Sequence, residues 1–122
     1  MRSGYTKVDF YVDAQGNAPV ERFLDSLRPE PRAKALAIIQ ILRSQGVAVP
    51  FPYSSQVKGK IRELRTQYGK EKIRILYFSD SKRVFILLHG VVKRTNKLED
   101  SDIRAAEERM KQHELRLGGK RK

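Results

Sequence analysis

Apolar and polar positions divide the chain into segments of two different periods. Val8, Phe10 and Val12 alternate with Lys7, Asp9 and Tyr11, a period of two that predicts a half-buried strand, and Asp13–Gly16 then turns the chain. From Pro19 the period becomes helical. Val20, Phe23, Leu24 and Leu27 recur at i, i+3, i+4 and i+7, with Asn17 as candidate cap. The string Arg28-Pro-Glu-Pro31 breaks this helix, and a second is predicted from about Pro31 to Gln45, with Ala35, Ile38, Ile39 and Leu42 on one face and Gly46 as its stop. Together they read as an αα-hairpin. Val47–Ser55, with Pro50 and Pro52, reads as a loop.

Beyond Lys58 the pattern is that of strands. Lys60–Gln67 (KIRELRTQ) and Lys72–Phe78 (KIRILYF) flank a hairpin turn at Tyr68-Gly69-Lys70, and a polar turn over Ser79–Lys82 follows. Val84–Val92 (VFILLHGVV) is nearly continuous in apolar residues, which predicts a central strand covered on both faces. Asp100 or Ser101 caps a last helix through about Leu115, with Ile103, Ala106 and Met110 inward. The expected fold is α+β, in the order β-α-α-β-β-β-α: an antiparallel sheet with an N-terminal helical hairpin and a C-terminal helix. At 122 residues there is room for a single domain, taken as residues 1–117, with 118–122 as a flexible basic tail.

Charge adds what periodicity cannot. The chain has 26 Lys/Arg against 14 Asp/Glu, net +12, and residues 58–122 carry 19 of the cations against 9 anions. Such an excess predicts attraction to polyanions, nucleic acid before an anionic membrane surface. Cysteine is absent and only His89 and His113 are imidazoles, which excludes disulfides and thiolate chemistry and leaves no basis for a metal or cofactor site. The longest apolar run, Val84–Leu88, is far short of the ~20 residues that cross a bilayer. With no apolar segment near the start, the expected location is cytoplasmic, without membrane contact.

Three strings in order, KGKIRELR (58–65), EKIRILYF (71–78) and ILLHGVVKRTNKLEDSDIRAAEERM (86–110), resemble the RelE/HigB superfamily of toxin–antitoxin systems, most nearly its HigB-type, phage-derived branch. The resemblance covers nearly the whole chain. It implies a small basic endoribonuclease that enters the ribosomal A site and cuts translated mRNA, the ribose 2′-OH attacking the adjacent phosphate without metal. It also implies a cognate antitoxin, in this branch usually a helix-turn-helix protein.

Cleavage of that kind needs a base for the 2′-OH, cations for the extra phosphorane charge and an acid for the leaving 5′ oxygen. Arginine suits the second role because its planar fork binds phosphate oxygens bidentately. Arg65 and Arg74 fall on strands joined by a short hairpin, and Lys93 and Arg94 end the next strand, so a cationic cluster on neighbouring strands is expected. By resemblance, Arg74 matches the arginine that clamps the scissile phosphate, Arg65 closes the ELR string, and Arg94, or Lys93 if the register slips by one, matches a further phosphate contact. RelE-type members carry lysines in the ELR strand, one serving as base; here Glu63 stands at the matching position, as is common in the HigB branch. Glu63 is therefore either the base or a carboxylate that orients Arg65 or Arg74.

Lys58, Lys60, Arg62 and Lys97 are candidate contacts to the RNA backbone. Tyr68 and Tyr77 could offer a phenol as acid, although Tyr77 also follows the core pattern. His89 reads as a structural histidine in an apolar strand, while His113, Arg104, Arg109, Lys111 and Arg116 read as the wet side of the last helix. Few aromatic residues interleave the cations, so base stacking is not expected as a main source of affinity. Two other readings use the same residues: a non-catalytic nucleic-acid-binding module, and a degenerate toxin-like protein that only binds a partner.

Overall fold

The computed structural model describes residues 7–119. In chain order its elements are β1 (Val8–Phe10), α1 (Pro19–Ser26), α2 (Pro29–Gln45), β2 (Ser54–Lys58), β3 (Ile61–Tyr68), β4 (Glu71–Ser79), β5 (Phe85–Lys93) and α3 (Asp100–Gly119), with a short 3-10 turn at Gly46–Ala48. The sheet has the order β1-β5-β4-β3-β2. Every neighbouring pair is antiparallel except β1, which lies parallel to β5. Architecture is thus the expected α+β type, with a mostly antiparallel sheet.

Both N-terminal helices begin on proline, Pro19 and Pro29, where the missing N–H costs nothing because first-turn amides have no intrahelical acceptor. Helix α2 accordingly starts two residues before the expected Pro31. The cap of α1 is Ala18 rather than Asn17, whose side-chain oxygen instead accepts from Arg22. Arg32 closes the other end of α1 by donating to the carbonyls of Leu24, Asp25 and Leu27 at 2.8–2.9 Å. These helices bury Val20, Leu24, Leu27, Ala35, Ile38, Ile39 and Leu42 against Leu64, Ile73, Ile75, Tyr77, Phe85 and Leu87.

Helix α3 covers part of the opposite face. There Ala106 packs with Tyr11, Ile61, Leu76, Phe78, Ile86 and Leu88. The molecule is therefore three layers with two apolar clusters, and β4, the middle strand, is buried on both sides from Ile73 to Phe78. Strand β5, between β1 and β4, is likewise an inner strand, with Phe85 and Leu87 in one cluster and Ile86 and Leu88 in the other, as its continuous apolar run predicts. A register shift beside Leu76 and Tyr77 leaves Leu88 unpaired, so Leu88 and His89 both face α3. At Gly90 the ring of α1's Phe23 comes so close that an added Cβ would meet its Cγ at 2.7 Å.

The segment expected as a loop through Ser55 contains the start of β2. Its sequence, SSQVK, has one apolar residue and lies on the sheet edge, so its strand character comes from pairing with β3 rather than from its own pattern. Val12, expected inward, is exposed, whereas Tyr11 is buried under α3. Helix α3 runs on through Gly118 and Gly119; Lys120–Lys122, the rest of the expected tail, lie outside the described residues. Among the described residues no helix is long and apolar enough to cross a membrane.

Candidate active site

Helix α3 crosses only one end of its sheet face. Its residues bond His89 and Leu88 on β5, Asp80 after β4 and Val12 after β1. Toward the other end the same face continues from apolar Leu76 and Ile61 into charged Arg74, Glu63 and Arg65. The ladder puts Arg65 opposite Arg74 and Glu63 opposite Leu76, with Ser55 of β2 opposite Glu63. Two arginines and one carboxylate are thus brought together by register alone.

Arg74 is only 3% exposed and Glu63 8%. Glu63 Oε1 faces Arg74 Nε at 3.4 Å, and Oε2 lies 3.8 Å from Arg65 Nη1 while accepting from the Ser55 hydroxyl at 3.1 Å. The contact to Arg74 lacks hydrogen-bond alignment, leaving Oε1 and Nε both buried and unpartnered. The remaining bonds of Arg74 are long ones, to the Ile73 carbonyl at 3.3 Å and Asn96 Oδ1 at 3.4 Å. Burial, and then the neighbouring Arg65 charge, pull the Arg74 guanidinium below its usual pKa, against the opposing pull of Glu63. It is still a cation at neutral pH. The site therefore holds a desolvated positive charge with unused donor capacity.

A cavity of about 250 Å³ opens onto this pair, lined by Pro52, Tyr53, Arg65, Thr66, Gln67, Arg74 and Asn96. A larger cavity, about 760 Å³, lies at the far end of the sheet among Lys60, Asp80, Lys82 and Glu114. Its charges are of both signs: Lys60 pairs with Glu114 and Asp80 with His113, and Lys82 lines it as well. The smaller cavity has both Arg65 and Arg74 in its lining and no carboxylate.

The other sequence candidates separate by location. Lys93 is on the α3 face but is held by Glu99 at 3.3 Å and Asp102 at 3.8 Å, anchoring the start of α3. Arg94 and Lys97 are exposed on the segment whose Asn96 reaches Arg74. Arg62 points to the opposite face, donating to Ser54, which also bonds the buried Tyr77 hydroxyl. Lys58 and Lys60 lie near the other end of β3 and pair with Glu107 and Glu114 of α3 at 2.9 Å. Tyr68 is at the hairpin, with Arg28 over its ring at 5.9 Å.

Of the helix face expected to be wet, Arg104, Lys111 and Arg116 are exposed, whereas Arg109 and His113 turn partly inward. Arg109 donates to the Leu88 carbonyl and to His89 Nδ1, Arg116 donates to the Val12 carbonyl, and His113 bonds Asp80 at 2.9 Å beside Phe78. Since Arg109 donates to Nδ1, the His89 proton sits on Nε2 and is given to Asp102 at 2.8 Å. Among the described residues no three His, Cys, Asp or Glu side chains are grouped to hold a metal ion.

Residues 22–111, from α1 well into α3, match the model of the family described as Phage derived protein Gp49-like (DUF891). The chain belongs to this family. Its members are RelE/ParE-like, toxin-like proteins of phage origin, and the matched stretch contains the whole arginine site. No curated protein matches the chain.

Sequence reasoning missed Ser55, Asn96 and the aromatic residues Phe51 and Tyr53. Ser55 and Tyr53 fell in a segment taken as loop, and Asn96 in a turn whose return toward β4 no local pattern announces.

Proposed function

We propose that this chain is the toxin of a type II toxin–antitoxin system of the HigB type: an endoribonuclease that cuts translated mRNA at the ribosomal A site in the cytoplasm and is neutralised by a helix-turn-helix antitoxin. What supports this most is that Arg65 and Arg74, which share one carboxylate, both line an open cavity, with Arg74 buried and poorly bonded. A ribose-phosphate link entering the cavity supplies the acceptors Arg74 lacks. The two guanidinium groups then stabilise the extra phosphorane charge as the 2′-OH attacks phosphorus and the 5′ oxygen leaves, Arg74 from a dry position where its charge is little screened. Arg94 and Lys97 hold the flanking backbone. Glu63, with its oxygens facing Arg74, Arg65 and Ser55, serves to position the cations.

Induced expression tests this. The parent chain arrests growth, and co-expression of the neighbouring reading frame restores it. Arg74→Met, which keeps the buried stem volume, and Arg65→Ala, at a more exposed position, each relieve the arrest while circular dichroism shows a folded protein. Loss of a positioned charge-stabilising donor lowers cleavage by about 100-fold or more. Unimpaired growth with folded parent chain, or full arrest by Arg74→Met, refutes the proposal.

A further inference from the structure

Phe51 and Tyr53 are 72% and 51% exposed, large rings left in water next to the arginine site. Tyr53 lines the arginine cavity, and the Arg65 guanidinium lies over the Phe51 ring at 5.9 Å. Their turn is fixed to the sheet. The Tyr53 and Ser54 amides donate to the Pro50 carbonyl at 2.9 and 3.1 Å, and the Tyr53 carbonyl accepts from the Arg65 amide at 2.8 Å. The aromatic pair is therefore registered to the same β3 residue that contributes the second guanidinium.

We propose that Phe51 and Tyr53 form a nucleobase-stacking subsite that takes the base next to the phosphate held by Arg65 and Arg74. It rests on the ribonuclease reading for its substrate class. Single-stranded RNA is gripped by aromatic or guanidinium planes together with cations along the backbone, and both are adjacent here. Every base has a π-face, so the rings accept any base. Thr66, Gln67 and Asn96, which line the same cavity, present donors and acceptors to a base edge. The cationic floor favours this occupant over a protein partner, whose contact with exposed rings would not call on a buried, under-bonded arginine. The proposal departs from the expectation that stacking contributes little because the rings, not interleaved with cations in sequence, are brought by the fold to Arg65 and its cavity.

The test uses the intact chain and a short single-stranded RNA carrying 2-aminopurine next to a 2′-deoxy linkage that blocks cleavage. Binding quenches the fluorescent base with the parent chain. Phe51→Leu/Tyr53→Leu, which keeps apolar bulk at exposed positions and an unchanged melting temperature, abolishes the quench and weakens binding about tenfold; Tyr53→Phe keeps both. Parent-like affinity or parent-like quenching in the Leu variant overturns the subsite, including the case where the variant instead loses a protein partner. If the parent chain retains no RNA, the subsite falls, and the nuclease reading stands or falls separately on growth arrest by the parent chain and its loss in Arg74→Met. If quenching depends on the rings but an all-ribose strand is never cut, even on ribosomes, the subsite stands and the nuclease reading falls.

Discussion

Replacing Glu63 with Gln tests whether one carboxylate is what allows two arginines to share the site. The substitution keeps volume and an oxygen for the Ser55 hydroxyl, but removes the charge that lies 3.4 Å from Arg74 and 3.8 Å from Arg65. With an effective dielectric of about 20, a charge pair at these separations attracts by about 4–5 kcal/mol, and most of that repays desolvation. Removing one partner of a buried pair costs about 3–5 kcal/mol because the other charge is left uncompensated. Arg65 is partly exposed and its share is screened, so the lower end, about 3 kcal/mol, is expected. In a chain of this size that lowers the melting temperature by roughly 10 °C. Thermal unfolding followed by circular dichroism measures it. Inorganic phosphate, bound between the two charges left without their counter-ion, should restore more stability to Glu63→Gln than to the parent at matched ionic strength. In Glu63→Gln/Arg74→Met the loss should be smaller than the sum of the two single losses. A melting temperature within about 2 °C of the parent refutes the role given to Glu63 as the shared counter-ion.

Two further outcomes follow from the charge map. Burial pushes the Asp102 carboxyl up, but hydrogen bonds from His89 and the Glu99 amide and the Lys93 charge outweigh it and hold the group below its ordinary 3.8. A carboxyl more acidic in the folded than in the unfolded chain contributes stability present above the unfolded value and lost as pH falls through the folded one. Asp102→Asn should therefore lower the melting temperature at pH 6, and the gap to the parent should close in a titration taken below about pH 4; a gap independent of pH sinks the assignment. For RNA, contacts from Arg65, Arg74, Arg94 and Lys97 predict a slope of about −3 for log affinity against log salt on single strands. Fluorescence anisotropy should find this slope shallower by about 0.7 in Arg94→Ala and unchanged in Lys60→Ala, and equal effects would contradict the localisation of the site.

Periodicity located α1, β3, β4, β5 and α3 because their apolar positions repeat at the spacing of the element that buries them. Ile38, Ile39 and Leu42 could point nowhere but to a core. The failures are of another kind. Strand β2 carries almost no pattern of its own and exists because β3 offers an unpaired edge. Parallel pairing of β1 with β5 joins segments some seventy-five residues apart, and alternation within either says nothing of the partner's direction. On α3 the expected wet face departs at Arg109 and His113, which are half-buried with polar partners, while Arg104, Lys111 and Arg116 are exposed. A helix that lies on a sheet near its edges meets carbonyls and an aspartate as well as apolar side chains.

Of the expected cationic cluster the Arg65–Arg74 pair was legible for a simpler reason: the two-residue hairpin after Tyr68 fixes the β3–β4 register, and register makes Arg65 the partner of Arg74. Sequence could not tell which cations are free. Lys58, Lys60 and Lys93 add to the same basic excess as Arg74, yet each has an acidic partner on or just before α3, so their charge contributes to holding that helix on the sheet. Arg74 differs in having been carried into the interior with a misaligned carboxylate and two long hydrogen bonds. A guanidinium kept dry in that state lowers the protein's own stability, since the arrangement would be improved by one more acceptor. That cost makes sense if the acceptor arrives from outside, and a phosphate bridging Arg74 and Arg65 is the anion whose geometry both forks fit.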